Sequence, residues 1–278
     1  MNTPLLQVEH LEVALAQTSR VLLHDVSFSL SPHHCLGVIG ESGSGKSLLC
    51  RALLGLLNNT FVCRGAMHFA EDKPLALNND AALRCYRGRN ISLIPQHPMT
   101  AFDPLQPIGK QMVETLCAHL ALRPREAKEK AIALLQQVRL ENAAKRFDDY
   151  PAQLSGGMLQ RVTIAIALGL SPRLLIADEP TSALDAVTQA EIVQLFAELR
   201  SRNAMTLLFV SHDLGAIQRL ADSVIVMHQG RLVEQGDTRT VLSHPHHVHT
   251  RYLVDARLAM LRRYAHWVPP VTTLGEQA

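Results

Sequence analysis

A glycine-rich loop carries the clearest chemical signal in this sequence. Residues 40–47 read Gly-Glu-Ser-Gly-Ser-Gly-Lys-Ser, and an apolar run over 35–39 leads directly into them. We expect a buried strand over 35–39 and a helix over 48–57, because a strand, a glycine loop and a helix in this order form a phosphate-binding loop. The N–H groups of such a loop turn inward around phosphate oxygens, at the positive end of the helix dipole. The loop therefore predicts nucleotide binding, and an ordinary glycine turn is the weaker alternative.

Each residue of this loop is a candidate for the nucleotide site. Lys46 is expected to reach the β- and γ-phosphates, and the Ser47 hydroxyl is expected to ligate Mg²⁺. Six further candidates complete the loop: Gly40, Glu41, Ser42, Gly43, Ser44 and Gly45.

Two adjacent carboxylates follow a second apolar run. Residues 174–177 are Leu-Leu-Ile-Ala, and Asp178 and Glu179 come directly after them. In parallel sheets ligands bind at the carboxyl ends of the strands. We therefore expect Asp178 to hold Mg²⁺ through its water shell and Glu179 to polarise the attacking water. A solvated acidic turn is the alternative.

A serine followed by two glycines forms a second candidate phosphate-binding group. Ser155 lies where an N-cap would begin a helix over 156–170, and Gly156 and Gly157 come next. The free N–H groups at a helix N-terminus attract an anion. Because Ser-Gly-Gly is also a common loop sequence, this interpretation depends on the nucleotide site elsewhere in the chain.

Composition limits the classes of function open to the chain. Its 278 residues, 47% hydrophobic and 19% charged, can form one large globular domain or two small ones, and a net charge of +2 does not indicate nucleic acid. The apolar runs 164–170 and 174–177 are too short to cross a bilayer, and the N-terminus does not resemble a signal peptide. We therefore expect a cytosolic protein, whose five cysteines, without a C-x-x-C pair, are reduced and mostly buried.

Strand and helix patterns alternate along most of the chain and predict an α/β fold with a parallel core sheet. Alternating polarity over 5–15 and 26–30 predicts a small antiparallel sheet against that core, and 58–82 is expected to form a short hairpin and a surface loop. Core strands are expected over 91–94, 174–177, 206–210 and 223–227. Helices are expected over 156–170, 186–200 and 214–221, and over 108–138 with a break at 123–124.

The order of these motifs resembles the ATP-binding subunit of an ABC transporter over nearly the whole chain. The resemblance lies in the glycine loop, Gln96 after a strand, Ser-Gly-Gly at 155–157, residues 174–179, Ser-Ala-Leu-Asp at 182–185 and Ser-His-Asp at 211–213. It implies a P-loop NTPase fold with a RecA-like core, an antiparallel β subdomain and an inserted helical subdomain over about 97–165. It also implies an ATPase domain over 1–235, a short C-terminal extension over 236–278, and ATP and Mg²⁺ as ligands.

The resemblance further implies roles for individual residues. Glu179, His212 and Gln96 would be catalytic, with His212 contacting the γ-phosphate and Gln96 sensing it through Mg²⁺ and coupling to the transmembrane partner. Three residues would hold Mg²⁺: Ser47, Gln96 and Asp178. Asp185 would lie at a dimer interface, across which the Ser155-Gly156-Gly157 segment of one subunit reaches the nucleotide of the other.

Within this family the peptide and nickel importers show the most specific likeness. Residues 95–105, the pair His244-Pro245 and residues 250–253 resemble their sequences, and Met158 resembles the nickel-import ATPases. The resemblance implies an importer of nickel or a nickel/cobalt chelate, with di- or oligopeptide import as the alternative. Its partners would be a second ATPase subunit, two permease subunits and an extracytoplasmic binding protein, at the cytoplasmic face of the inner membrane. A soluble ABC ATPase acting on nucleic acid or ribosomes is the less favoured alternative, because that class usually shows paired cassettes or a long coiled-coil insertion, and neither appears in this sequence.

Two features depart from the family pattern. Most relatives stack adenine on an aromatic residue near positions 17–20, which here are Gln-Thr-Ser-Arg, so Arg20 is a candidate to stack its guanidinium on the base. The segment 244–249 also carries four histidines: His244, His246, His247 and His249. We interpret this segment as a polar loop, and a cytosolic metal-sensing site is the alternative.

Overall fold

Two β-sheets and the helices packed on them account for the described part of the chain, residues 3–203 and 205–267 of a computed structural model. The strands are β1 (Leu6–Leu15), β2 (Val21–Leu30), β3 (Cys35–Ile39), β4 (Phe61–Phe69), β5 (Leu75–Ala76), β6 (Ile91–Ile94), β7 (Leu174–Asp178), β8 (Thr206–Val210), β9 (Ser223–His228) and β10 (Arg231–Asp237). The helices are α1 (Lys46–Leu53), α2 (Asp80–Arg84), α3 (Ile108–His119), α4 (Pro124–Gln137), α5 (Ala143–Arg146), α6 (Gly156–Gly169), α7 (Ala186–Asn203), α8 (Leu214–Leu220), α9 (Thr238–Ser243) and α10 (Val248–Trp267). Short 3₁₀ turns lie at Pro98–Ala101 and Pro151–Gln153.

The larger sheet has the strand order β10-β9-β3-β8-β7-β6. Its strands run parallel except for β10, which pairs antiparallel with β9, so the predicted parallel core sheet is confirmed. All residues of β3, β7 and β8 are buried, because both faces of the sheet are covered. The uninterrupted apolar runs in the sequence therefore reflect strands with no solvent-facing side.

The smaller sheet, of order β2-β1-β4-β5, is antiparallel, as predicted. The expected hairpin over 58–82 is only partly correct, because β4 pairs with β1 along most of its length as well as with the short β5. Burial explains this arrangement, since Met67 and Phe69 of β4 join Leu11 of β1 and Leu49 of α1 in one apolar cluster. That cluster also contains Leu36 and Val38 of β3, so the small sheet lies against the core strand that leads into the glycine loop.

Helices α3 to α6 lie between β6 and β7 in the chain. Their buried side chains, such as Met112, Leu135 and Val162, belong to the same apolar cluster as Leu175 and Phe209 of the core sheet. The buried side chains of these helices therefore form one continuous core with one face of the larger sheet. The division of the chain near residues 97, 165 and 235 stays a prediction.

Two helices differ from the expectation. Helix α1 begins at Lys46 and ends at Leu53, instead of running over 48–57, because the chain turns at Gly55 with a φ of +62°. Helix α10 continues to Trp267, where the sequence predicted only a short extension. The rest of that extension lies outside the described residues. Among the described residues, no helix is both long and apolar enough to cross a membrane.

Three of the five cysteines are buried, in agreement with the prediction that most of them would be. Cys35, Cys50 and Cys63 are buried, Cys117 is half-buried and Cys85 is exposed. Burial raises the pKa of Cys35 to about 12 and that of Cys63 to about 11. These thiols are therefore protonated near neutral pH and contribute as small apolar side chains.

Candidate active site

The glycine loop connects the end of β3 to the start of α1 and is seated against the end of β9. Two glycines are required by this geometry. Gly45 has a φ of +104°, which L side chains rarely adopt, and a Cβ on Gly40 would collide with the Met227 carbonyl oxygen. A further main-chain hydrogen bond, from Gly230 N–H to the Ser44 carbonyl (3.0 Å), holds the loop to the turn after β9.

Lys46 is almost wholly buried at the first position of α1. Its Nζ donates hydrogen bonds to the carbonyl oxygens of Gly40 and Glu41, both at 2.9 Å, and lies 3.4 Å from Glu179 Oε1. A buried ammonium is stable only where it is paired in this way. The site thus holds a fixed positive charge inside the loop, which is what an anionic ligand requires.

Ser47 and Asp178 form an oxygen-rich pair beside that charge. The Ser47 hydroxyl donates to Asp178 Oδ1 at 2.9 Å. Burial raises the pKa of Asp178, and the hydrogen bond from Ser47 partly offsets this effect. Carboxylate and hydroxyl oxygens are the ligands that Mg²⁺ prefers, and a cation there would compensate the buried carboxylate. These residues therefore fit the Mg²⁺ site that the sequence predicted.

Glu179 contacts both of the other residues expected to be catalytic, Gln96 and His212. Gln96 Nε2 donates to Glu179 Oε2 at 3.3 Å, and His212 Nδ1 lies 3.3 Å from the same oxygen. The cause is the strand order: Gln96 follows β6, Glu179 follows β7 and His212 follows β8, and these strands are neighbours in the parallel sheet. Glu179 has a φ of +46°, and its N–H donates to the Val210 carbonyl at 3.0 Å. This main-chain turn holds the carboxylate at the sheet edge, beside Lys46.

A cavity of about 660 Å³ opens over these groups. It is lined by Ser42, Gly43, Gly45, Lys46, Ser47, Leu48, Gln96, Glu179 and His212, together with Leu22 of β2. The sequence pattern did not identify Leu22, and Arg20, the residue predicted to contact the base, does not line the cavity. The sequence signal that could have found Leu22 is the apolar pair Val21-Leu22 directly after the polar residues 17–20. In the structure this pair begins β2 and is half-buried.

The remaining predicted site residues lie away from this cavity. Ser155 caps α6, and its hydroxyl accepts a hydrogen bond from the Met158 N–H at 3.3 Å. Asp185 accepts hydrogen bonds from the N–H and hydroxyl of Thr188 and from the Val187 N–H, which lower its pKa. Thr188 also adjoins the glycines, since a Cβ on Gly157 would come within 2.5 Å of its methyl carbon. Ser155, Gly156 and Asp185 are all exposed and do not line the cavity. A single chain therefore does not bring the Ser155-Gly156-Gly157 segment to its own glycine loop.

Comparison with known proteins agrees with this geometry. A family model described as "ABC transporter" matches residues 23–182. The chain is 40% identical over 262 residues to the metal-staphylopine import system ATP-binding protein CntD of Staphylococcus aureus, covering 94% of this chain and 96% of that protein. It is also 40% identical over 257 residues to a putative peptide import ATP-binding protein of Brucella abortus, covering 92% of this chain and 77% of that protein.

A solved structure shares the fold described above. The ATP-binding cassette MJ0796, in a dimeric post-hydrolysis state with ADP and phosphate, superposes with a TM-score of 0.72 at 25% identity. The match covers 84% of this chain and 99% of that one. Its bound ADP and phosphate are the ligands expected of a cavity built on a glycine loop, a buried lysine and adjacent carboxylates.

Proposed function

The chain belongs to the ABC transporter family as the ATP-hydrolysing subunit of an importer, and on that premise we propose that its cargo is nickel or a nickel or cobalt chelate. The observation that carries this proposal is the similarity, over nearly the full length of both chains, to an import ATPase named for metal-staphylopine. Met158 supports it, since it resembles the nickel-import ATPases, whereas the segment 95–105 resembles the peptide and nickel importers alike. The chain itself does not contact cargo in this proposal, because the translocation path belongs to the membrane subunits.

Hydrolysis is proposed to proceed in the cavity over Glu179. The Glu179 carboxylate orients the attacking water and takes up its proton, and His212 and Gln96 hold that carboxylate in place from either side. Lys46 and the N–H groups of Gly43 and Gly45 bind the phosphates of ATP. Ser47, Asp178 and Gln96 would hold Mg²⁺, which neutralises phosphate charge when it is bound.

A complete site is proposed to need two ATPase subunits. The Ser155-Gly156-Gly157 segment of one subunit would face the nucleotide held by the other, with Asp185 at the interface between them. This arrangement accounts for the exposure of Ser155, Gly156 and Asp185, none of which lines the cavity of its own chain. The ATPase pair would dock on two permease subunits at the cytoplasmic face of the membrane and work with an extracytoplasmic binding protein.

Peptide import is the second candidate. It is favoured by the similarity to the Brucella protein, whose name describes peptide import, at the same 40% identity. Both candidates use the same ATPase chemistry, so they differ only in the cargo that the membrane partners accept.

Uptake measurements separate these candidates. The gene is deleted and restored either as wild type or as Glu179→Gln, and the cells are supplied with radioactive nickel, radioactive cobalt, metal chelates or labelled peptides. We expect metal or chelate uptake to fall in the deletion strain, to recover with the wild-type gene and to remain low with Glu179→Gln. Unchanged metal and chelate uptake alongside lost peptide uptake would refute the metal proposal and leave the ATPase assignment intact.

A further inference from the structure

Three potential metal ligands meet where the glycine loop, the end of β9 and the start of α10 come together. Glu41 belongs to that loop, His228 ends β9, and His249 lies in the first turn of α10. One ligand atom from each side chain lies within 4.8 Å of the others. None of the three lines the cavity over Glu179, although Glu41 belongs to the loop that borders it.

His249 is the residue of this group that points most clearly to ligand binding. Its side chain is buried, with 7% of the residue surface exposed, and its Nε2 has no hydrogen-bond partner among the described residues. The ring packs on His228 with centroids 3.8 Å apart, and Tyr252 stacks at 6.2 Å. A buried polar nitrogen without a partner is destabilising, and such a group in a native protein calls for an explanation such as an ion.

The other histidines of the 244–249 segment make contacts outside the three-residue group. His244 Nδ1 lies 2.9 Å from the Ser243 hydroxyl, and the main-chain N–H groups of His246 and His247 donate to the Glu234 carboxylate. His244 and His246 are exposed. Only His249 of this segment joins the three-residue group, within the part of the chain that the structure describes.

We propose that Glu41, His228 and His249 bind one divalent first-row transition-metal ion, of the class of Ni²⁺, Co²⁺ or Zn²⁺. Two imidazoles and one carboxylate suit these metals, whereas Mg²⁺ and Ca²⁺ prefer oxygen ligands alone. The three ligand atoms, all within 4.8 Å of one another, are close enough that small side-chain movements would give metal–ligand bonds near 2 Å. Glu41 is exposed, so its carboxylate is free to make that movement.

The ion would connect the C-terminal helix to the phosphate-binding loop. The Glu41 carbonyl accepts a hydrogen bond from Lys46 Nζ, so a metal bound to the Glu41 side chain restrains the residues that surround the lysine. His228 adjoins the turn whose Gly230 N–H holds Ser44. We therefore infer that metal binding restrains this loop and lowers ATP turnover, independently of which cargo the importer carries.

Metal binding is measured on the tag-free chain after treatment with a chelator. Equilibrium dialysis against Ni²⁺, Co²⁺ or Zn²⁺, with Mg²⁺ in excess and no nucleotide, should find one tightly held ion per chain. His249→Asn and Glu41→Gln should each weaken binding by about tenfold or more, since even the loss of a residue that only supports a ligand costs that much. His244→Asn and His246→Asn are the matched controls and should bind as the wild type does.

Two results would overturn the proposal. Full binding by both His249→Asn and Glu41→Gln would show that the ion lies elsewhere, and binding lost only in the His244 and His246 variants would assign it to the exposed loop. Thermal unfolding without metal shows whether each variant folds. If His249→Asn, at a buried position, fails to fold, Glu41→Gln, at an exposed position, serves as the test. A separate assay measures ATP turnover of the wild type with and without Ni²⁺; an unchanged rate at saturating metal would refute the restraint on the loop.

Discussion

Replacing Glu179 by glutamine tests the site most directly. The carboxylate lies 3.4 Å from Lys46 Nζ through one oxygen and 3.3 Å from both Gln96 Nε2 and His212 Nδ1 through the other. Glutamine keeps the volume and the planar end group, so the cavity should keep its shape. It cannot take up a proton from water, and this is the property that the proposed mechanism requires.

We expect Glu179→Gln to reduce ATP hydrolysis by about a hundredfold or more, which corresponds to about 2.7 kcal/mol of activation free energy. ATP binding should be retained or strengthened, because the substitution removes a negative charge that competes with phosphate for Lys46. The variant should therefore accumulate as an ATP-bound dimer.

Phosphate release and nucleotide binding are measured separately, with Glu71→Gln as the control. Glu71 is exposed and does not line the cavity, and Glu71→Gln likewise replaces a carboxylate by an amide. A Glu179→Gln protein that hydrolyses ATP at more than half the wild-type rate would refute the assignment of the general base. Loss of ATP binding would instead show that the carboxylate shapes the site.

Four further expectations follow from the structure. Asp178→Asn should raise the unfolding temperature of the nucleotide-free chain, because burial raises the pKa of Asp178 and disfavours its ionised form, yet it should lower Mg²⁺-dependent turnover. Phe209→Ala should destabilise the fold by about 3–5 kcal/mol in denaturant titrations, whereas Leu105→Ala, at a residue 83% exposed, should change stability by no more than about 0.5 kcal/mol. ATP turnover per chain should rise with protein concentration if two subunits complete the site, and a constant rate on dilution would contradict this. Binding should discriminate less than about a hundredfold between ATP and GTP, since Leu22 rather than an aromatic ring lines the cavity and a stacking contribution of about 1–3 kcal/mol is missing.

The tail of the chain shows where the sequence pattern was a poor guide. Helix α10 runs from Val248 to Trp267, although its sequence carries no clear apolar face, and Val248, Tyr252 and Met260 are exposed on it. Its start is held by tertiary contacts, including the buried Thr250 and the rings packed around His249. Without a clear apolar face, the sequence of this helix lacks the 3.6-residue period from which a helix is predicted.

Local sequence determined the glycine loop, its flanking strand and the buried core strands. These features depend on residues close together in the chain: glycines that permit φ values such as +104° at Gly45, and apolar runs that only a strand covered on both faces can bury. The resemblance to the ABC family is likewise a property of the sequence alone, because it lies in the order of the motifs along the chain.

Only the tertiary structure decided which of these residues meet. Gln96, Glu179 and His212 converge because β6, β7 and β8 are neighbours, while the Ser155 segment stays outside the cavity. Glu41 meets His228 and His249 because the glycine loop is seated against the end of β9, where α10 begins. Contacts across such sequence separations depend on strand order and helix docking, which the chemical character of each short segment does not specify.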